Sequence, residues 1–495
     1  MTTEAWTEAH VLRALASLGI WGALLMVASA IAYGMTLLIA SRREPFLRRR
    51  PRHAVAPDGP EIVFLLPCLN EAAVIGASVR RLLDIGAPRT HIMVIDDGSD
   101  DGTAEVVEAI GDPRAEVLRR VLPNARRGKG EALNHALTVV EQRFSHLHPD
   151  DLVIGVVDAD GRLDPTAVDD ARLAFADPYV GAVQMGVRIN NRFDSLLARM
   201  QDMEFVVFTE VFQRGRRHLG SVGMGGNAQF VRLAALDALG ERPWSRSLTE
   251  DFDLGVRLNG TRWTNEFCRT SAVHQEGVTN LRRYLRQRTR WFQGNLQSLG
   301  LMSHVLRTLR GSSRTDTLYQ ILTPYLLLSA SLLTVSFTIA VVAAVISQLQ
   351  GASLTWWWLA VAYLLAWGPS LAYGAVYWRI ERREGLGVLR SVVYSHLFVL
   401  YGMLAYVSGW RAVGRAVTGR TGWAKTAREA EPEPLPEAPP EASPDALPET
   451  PPAALAMTPS FVLQAPPPPP PPPPPVPALV GGAVAPVLGI LGGGS

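Results

Sequence analysis

The sequence predicts an α/β domain, inserted between transmembrane α-helices and followed by a disordered proline-rich tail. Three observations carry this. Short apolar runs alternate with amphipathic stretches from about Glu61 to Gly300, the pattern of strands and helices in turn. Four nearly uncharged apolar blocks flank that region, each near the ~20 residues that a helix needs to cross a bilayer. From about Ala427 the chain turns to Glu, Pro and Ala and then to an unbroken run from Pro466 to Pro475, with no periodic apolar face to bury.

Composition narrows the function. A net charge of +2 points to no nucleic-acid partner and to no trap for acidic substrates. Hydrophobic residues at 47% against charged residues at 19% fit a soluble domain joined to membrane segments. With Cys68 and Cys268 the only cysteines, neither a disulfide scaffold nor a cysteine zinc site can be built.

Residues 1–14 form an N-terminal segment and residues 15–40 the first transmembrane helix. Ala28-Ser29-Ala30 looks like a cleavage site, but the apolar run continues past it. Glu4 and Glu8 stand where a signal peptide carries basic residues, so the segment reads as an uncleaved anchor. The linker 41–60 carries Arg42, Arg43, Arg48, Arg49 and Arg50, which places the N-terminus outside and the domain at residues 61–300 in the cytoplasm. An interfacial segment, 301–318, precedes transmembrane helices at 319–346, 354–378 and 388–408. The uncharged linker from Gln348 to Ser353 suits the outside, and Arg379, Arg382, Arg383 and Arg390 place the next linker inside. Four spans put the C-terminus outside, yet Arg411, Arg415, Arg420, Lys425 and Arg428 in and after the basic segment 409–426 argue for inside. Either the last block lies in the membrane plane or re-enters, or this basic cluster is overridden. The tail, residues 427–495, reads as a spacer with a polyproline II rod; a docking site for a proline-reading domain is the alternative.

Within the domain, three strands each end in a polar cluster. Ile62 to Leu66 leads into Pro67-Cys-Leu-Asn-Glu71, His91 to Ile95 into Asp96-Asp97-Gly98-Ser99, and Leu152 to Val157 into Asp158-Ala159-Asp160-Gly161. Ligands bind at the carboxyl ends of strands in open α/β sheets, which makes Asn70, Glu71, Asp96, Asp97 and Asp158 candidate ligand-binding residues. Asp96 and Asp97 can accept from a nucleobase or ribose; the alternative is turn chemistry and helix capping. Asp158 and Asp160 can approach one ion together, and oxygen ligands beside phosphates favour Mg²⁺ or Mn²⁺; solvated loop aspartates are the alternative. Arg126-Arg127-Gly128-Lys129-Gly130 lacks the P-loop pattern and leaves Lys129 to reach a diphosphate, and no Gly-x-Gly-x-x-Gly follows the first strand. Gly223-Met-Gly-Gly226-Asn227 marks a close backbone approach. Glu250 and Asp251 follow Thr249; adjacent carboxylates raise each other's pKa and suit a general base, while Thr249 as an N-cap is the alternative. Gln287, Arg290 and Trp291 fall at i, i+3 and i+4, so one helical face offers an amide, a guanidinium and an indole. A planar guanidinium suits diphosphate and a flat ring suits a sugar.

The ordered set Asp96-Asp97-Gly98-Ser99, Asp158-x-Asp160, Thr249-Glu250-Asp251 and Gln287-x-x-Arg290-Trp291 ahead of membrane spans resembles the membrane-bound family 2 glycosyltransferases. These include cellulose, chitin, hyaluronan and poly-N-acetylglucosamine synthases. The resemblance implies an α/β GT-A domain, with a Rossmann-like mixed sheet, that uses a nucleotide-sugar, usually a UDP-sugar, with inversion at the anomeric carbon. It implies that Asp96 and Asp97 hold uridine, Asp158 the ribose or phosphate side, and Asp160 the divalent metal. Asp251 would then be the base, Gln287 and Arg290 the diphosphate holders, and Trp291 the platform for the acceptor. No Phe-x-Val-Thr-x-Lys segment follows Trp291, and no C-terminal domain with the cyclic di-GMP signature is present, which departs from regulated cellulose synthases. The leading expectation is a synthase extending a β-linked polysaccharide at the cytoplasmic face of the cell membrane and passing it outward. With about four spans, a complete channel would need a partner or a second copy. The alternatives are transfer of one sugar to a lipid acceptor and, in another class, an inactive membrane scaffold.

Overall fold

A computed structural model describes residue 22 and residues 25–43, 59–351 and 357–419. The N-terminal segment 1–14, most of the linker 41–60, the basic residues Arg420, Lys425 and Arg428, and the tail 427–495 lie outside the described residues. In chain order the elements are α1 (Leu25–Arg42), β1 (Glu61–Cys68), α2 (Ala72–Asp84), β2 (Thr90–Asp96), α3 (Thr103–Glu108), β3 (Ala115–Arg119) and α4 (Lys129–Arg143). Then come β4 (Leu152–Val156), β5 (Arg162–Leu163), α5 (Ala167–Phe175), β6 (Val180–Ile189), α6 (Leu196–Val207) and, after a π turn at Phe208–Gln213, α7 (Arg214–Leu219). The remainder is β7 (Gln229–Arg232), α8 (Leu233–Asp237), α9 (Glu250–Asn259), β8 (Thr264–Gln275), α10 (Leu281–Gln297), α11 (Met302–Thr308), α12 (Gly311–Leu349), α13 (Trp357–Glu381) and α14 (Val388–Val417).

The eight strands form one mixed sheet in the order β3-β2-β1-β4-β7-β6-β8-β5. β3, β2, β1 and β4 run parallel, and β7 pairs antiparallel with both β4 and β6. Alternation along β1 feeds two cores, as the period of a strand requires. Ile62, Phe64 and Leu66 pack with Ile75 and Val79 of α2 on one face, and Val63 and Leu65 pack with Leu133 and Leu137 of α4 on the other. β4 is buried along its whole length, which is why its sequence reads as a continuous apolar run. These parallel strands end side by side, so the loops after β1, β2 and β4 share one edge.

The apolar helices join the domain at specific points. A Cβ on Gly215 of α7 would lie 2.7 Å from the Leu37 carbonyl of α1, so the two backbones touch. Tyr33 of α1 stacks on Tyr319 of α12, with 3.8 Å between ring centroids, and donates to Asp316 at 2.9 Å. α12 begins at Gly311, ahead of its apolar block, because Asp316 is buried against Arg216 and Tyr33 rather than left in water. Among the described residues, three helical stretches are long and apolar enough to cross a membrane: α1, Gly311–Ser336 of α12, and α14.

At the end of α13, Glu381 is fully buried among three arginines of the domain. Arg192 and Arg199 reach it at 3.2 and 3.1 Å, and Arg188 pairs with both Glu381 and Asp202. Removing one partner of a buried pair leaves the others uncompensated. Glu381→Ala is therefore expected to cost about 3–5 kcal/mol, read as a lower unfolding midpoint of the detergent-solubilised chain, whereas Glu384→Ala at the half-exposed rim changes it little.

Candidate active site

The loops after β1 and β2 are clipped together. Asn70 takes a left-handed backbone (φ 55°) and donates its N–H to Ser99 Oγ at 3.0 Å. Its side chain donates to Asp100 at 2.7 Å and accepts from the Asp100 N–H at 3.0 Å. Asp96 accepts the Ser99 N–H at 2.9 Å, which is the turn chemistry held open as an alternative, and Gly98 and Gly102 make the turn with positive φ. Asn70 and Asp96 thus shape the loops, while Glu71 and Asp97 line the cleft. Asp97 is buried against Arg120; burial raises its carboxyl pKa and Arg120 opposes that rise.

Lys129 starts α4 and projects between the loops. Its Nζ lies 2.7 Å from Asp158 Oδ1, 3.0 Å from the Gly226 carbonyl and 3.9 Å from Glu250 Oε1. Burial works against the ammonium, but Asp158, Glu250 and Asp251 together hold its pKa above the ordinary lysine value. The same cluster acts on the carboxylates in reverse. Burial pushes Glu250 up to about 7, with Asp251 adding and Lys129 opposing, and burial raises Asp251 against Lys129. Glu250 and Asp251 open α9, but the Thr249 hydroxyl makes no cap hydrogen bond. Gly226 (φ 75°) is the close approach that the glycine-rich loop announced: a Cβ there would sit 2.7 Å from Asp251 Oδ2. Asn227 holds the loop by accepting the Asp158 N–H at 3.1 Å.

α10 is pressed onto this cluster by a second glycine. A Cβ on Gly294 would lie 2.6 Å from Thr249 Cγ2, so only glycine lets the helix sit on the residues just ahead of Asp251. Gln297 adds a bond by accepting the Leu248 N–H at 3.0 Å. Gln287, Arg290 and Trp291 accordingly line the same cleft as Lys129, Asp158, Glu250 and Asp251. Arg288, between them in sequence, forms a bidentate pair with Glu204 of α6 at 2.5 and 2.7 Å and lies 4.6 Å over the Trp291 ring. That stack and ion pair fix the indole plane.

The cleft has a volume of about 550 Å³, within the usual range for a cofactor or small-molecule site. One wall belongs to the apolar helix α12, through Gln320, Thr323, Pro324 and Leu327, and Phe205 and Phe208 also line the cleft. Pro324 has no N–H for the Gln320 carbonyl, and both residues stand on that wall.

Asp158 stands on the cleft wall, while Asp160 is buried behind it and accepts the N–H of the wall residue Glu276 at 3.3 Å. Among the described residues no three His, Cys, Asp or Glu side chains gather to hold a metal by themselves. A hard divalent ion shared with a diphosphate needs only one or two carboxylates, the rest coming from phosphate and water. Asp158 on the wall supplies one such carboxylate, and Asp160 lies in the buried layer next to it rather than on the wall.

Arg216, Glu204, Arg283 and Glu276 also line the cleft, and the sequence motifs missed them. Glu204 carried a signal, as a lone carboxylate in the run Met203-Glu-Phe-Val-Val-Phe208. Arg288 was masked by the density of arginines around it.

Residues 60–294 match the family described as "Glycosyltransferase like family 2". The chain is 30% identical over 325 residues to a beta-monoglucosyldiacylglycerol synthase of Trichormus variabilis, covering 63% of this chain and 65% of that one. It is 25% identical over 244 residues to a poly-beta-1,6-N-acetyl-D-glucosamine synthase of Staphylococcus epidermidis, covering 48% and 55%. The chain thus spans 65% or less of the length of these relatives. Among solved structures it is similar to the mannosyltransferase PcManGT from Pyrobaculum calidifontis in complex with GDP-Man and Mn²⁺, at 16% identity and a TM-score of 0.48, covering 83% of this chain and 99% of that one.

Proposed function

We propose, from the match of residues 60–294 to the glycosyltransferase like family 2, that the chain moves one sugar from a nucleotide-sugar to the hydroxyl of a lipid at the membrane surface, with inversion. The observation that supports this most is that one cleft is lined both by Asp251, Lys129 and Arg290 and by a wall of Gln320, Thr323, Pro324 and Leu327 on the apolar helix α12. A hydroxyl carried on a lipid reaches Asp251 along that wall without leaving the bilayer surface. The names of the glycolipid-forming relatives favour the same acceptor.

In this reading Asp97 lies on the nucleoside side of the donor, and Lys129 and Arg290 on the diphosphate. Asp251 takes the proton from the acceptor hydroxyl, the acceptor oxygen bonds to the anomeric carbon from the face opposite the diphosphate, and the anomeric carbon–oxygen bond breaks with its electron pair leaving on the diphosphate. Arg290 and Lys129 neutralise the charge that develops there, where fixed cations contribute most. Trp291, held by Arg288 and Glu204, presents a flat face to the acceptor or the transferred sugar. Asp158 and Asp160 would hold Mg²⁺ or Mn²⁺, which when bound supplies further charge neutralisation on the diphosphate.

The pH profile reports the base. Asp251 acts only when ionised, so the rate falls with acid through a carboxyl pKa that burial has raised. Lys129 is the cation that opposes this rise. Lys129→Met therefore moves the acid limb of kcat/KM to higher pH, besides lowering the rate; an unmoved limb would assign the base elsewhere.

The reading is tested by incubating the purified full chain in lipid vesicles with a panel of labelled nucleotide-sugars, with and without divalent cations. Label entering the organic phase as a one-sugar lipid supports it. Label retained as polymer favours the polysaccharide alternative, for which Trp291 as a sugar platform is the supporting feature, and no transfer from any donor leaves the inactive scaffold.

A further inference from the structure

We propose that Gln213 and Gln184, two buried amides that do not line the cleft, are positioning residues for Asp251: they fix the glycine-rich loop against which the carboxylate stands. The inference rests on Asp251 being the base of the transfer reaction.

The loop, residues 221–227, joins α7 to β7 without regular structure, yet most of it is buried. Its peptide groups must therefore find partners outside any helix or sheet. Side-chain amides supply them. Asn259 of α9 and Asn265 of β8 donate to the Val222 carbonyl at 3.2 and 3.0 Å. Gln213 grips Gly223 twice, donating to its carbonyl at 2.7 Å and accepting its N–H at 3.3 Å. Gln184 of β6 accepts the Gly225 N–H at 2.8 Å and donates to the Asn227 carbonyl at 2.9 Å. The two bonds of Gln184 bracket Gly226, the residue that meets the base. Gly226 also gives its carbonyl to Lys129, so one peptide touches both the carboxylate and the cation beside it.

These grips matter because of how Asp251 is held. Its Oδ1 accepts the Phe252 N–H at 2.8 Å, while Oδ2 faces Gly226, where a Cβ would sit 2.7 Å away. The second oxygen is thus placed by contact with the loop, and a loop that drifts takes the limit on that oxygen with it. A misplacement of about 1 Å at a reacting group costs about 10²-fold in rate. Glutamine suits the task, since its amide donates and accepts at once and adds no charge to the cluster of Lys129, Glu250 and Asp251. Gln213 closes the π turn at Phe208–Gln213, and such turns are rare in helices but frequent at functional sites.

The test uses the full chain in lipid vesicles. Gln213→Met keeps the volume and removes both bonds. It should lower kcat by about 10–100-fold and leave donor KM within about twofold. In the Asp251→Asn background the same substitution should cost little more, because a residue that acts through Asp251 then has nothing to position. Equal losses in both backgrounds would overturn the proposal. Hydrogen exchange supplies a readout apart from activity: the peptide over residues 221–230 should exchange faster in Gln213→Met, and unchanged exchange would also overturn it. Gln184→Met, which loosens the same loop from the sheet side, should repeat the pattern and serves if Gln213→Met does not fold. Unchanged kcat in either folded variant, with Asp251→Asn impaired, would sink this inference alone; full transfer by Asp251→Asn would remove the base reading and this inference together.

Discussion

Asp251→Asn should lower sugar transfer by about 10²–10⁴-fold, the usual contribution of a positioned general base. The amide keeps the shape that fits against Gly226 but cannot take the acceptor proton. The loss falls on kcat, because the donor is held by other groups, and the unfolding midpoint should hold or rise. A buried carboxylate with a raised pKa favours its neutral form in the folded state, so replacing it with a neutral isostere removes a cost of folding. Undiminished transfer by this variant would remove Asp251 from the mechanism. Glu250→Gln separates the two carboxylates. If Asp251 is the base, it leaves substantially more activity than Asp251→Asn does.

The second large effect is at Arg290. Arg290→Ala should cost about 10²–10³-fold, as loss of one preorganised donor to a developing charge does. The effect should appear in kcat more than in donor KM, because the charge on the diphosphate is greatest as the bond breaks. Arg290→Lys should recover part of it, since an ammonium restores the charge without the planar fork. An Ala variant that weakened donor binding alone would make Arg290 a ground-state contact.

Much of this site was legible in the sequence, for a physical reason. Loops at the carboxyl ends of parallel strands must converge, so Asp97 and Asp158 could be placed together from the strand pattern alone, and the i, i+3, i+4 spacing put Gln287, Arg290 and Trp291 on one face. The same alternation announced the α/β layers, but not the antiparallel β7 that makes the sheet mixed. What stayed hidden were contacts between segments far apart in the chain. Glu204 meets Arg288 and Gly294 meets Thr249 only after α6, α9 and α10 have packed, and no local pattern encodes such pairings. Asp96 and Asn70 show the opposite limit. Their residue types suit a ligand and a turn equally, and hydrogen bonds to Ser99 and Asp100 put them to work in the turn.

The account rests on a single base-assisted transfer to a lipid hydroxyl. The most direct test is the NMR structure of the lipid-phase product made by the wild-type chain from an α-configured nucleotide-sugar. The account predicts one sugar per lipid in the β configuration, and no such product from Asp251→Asn; an α-linked product, or a chain of sugars, would contradict it.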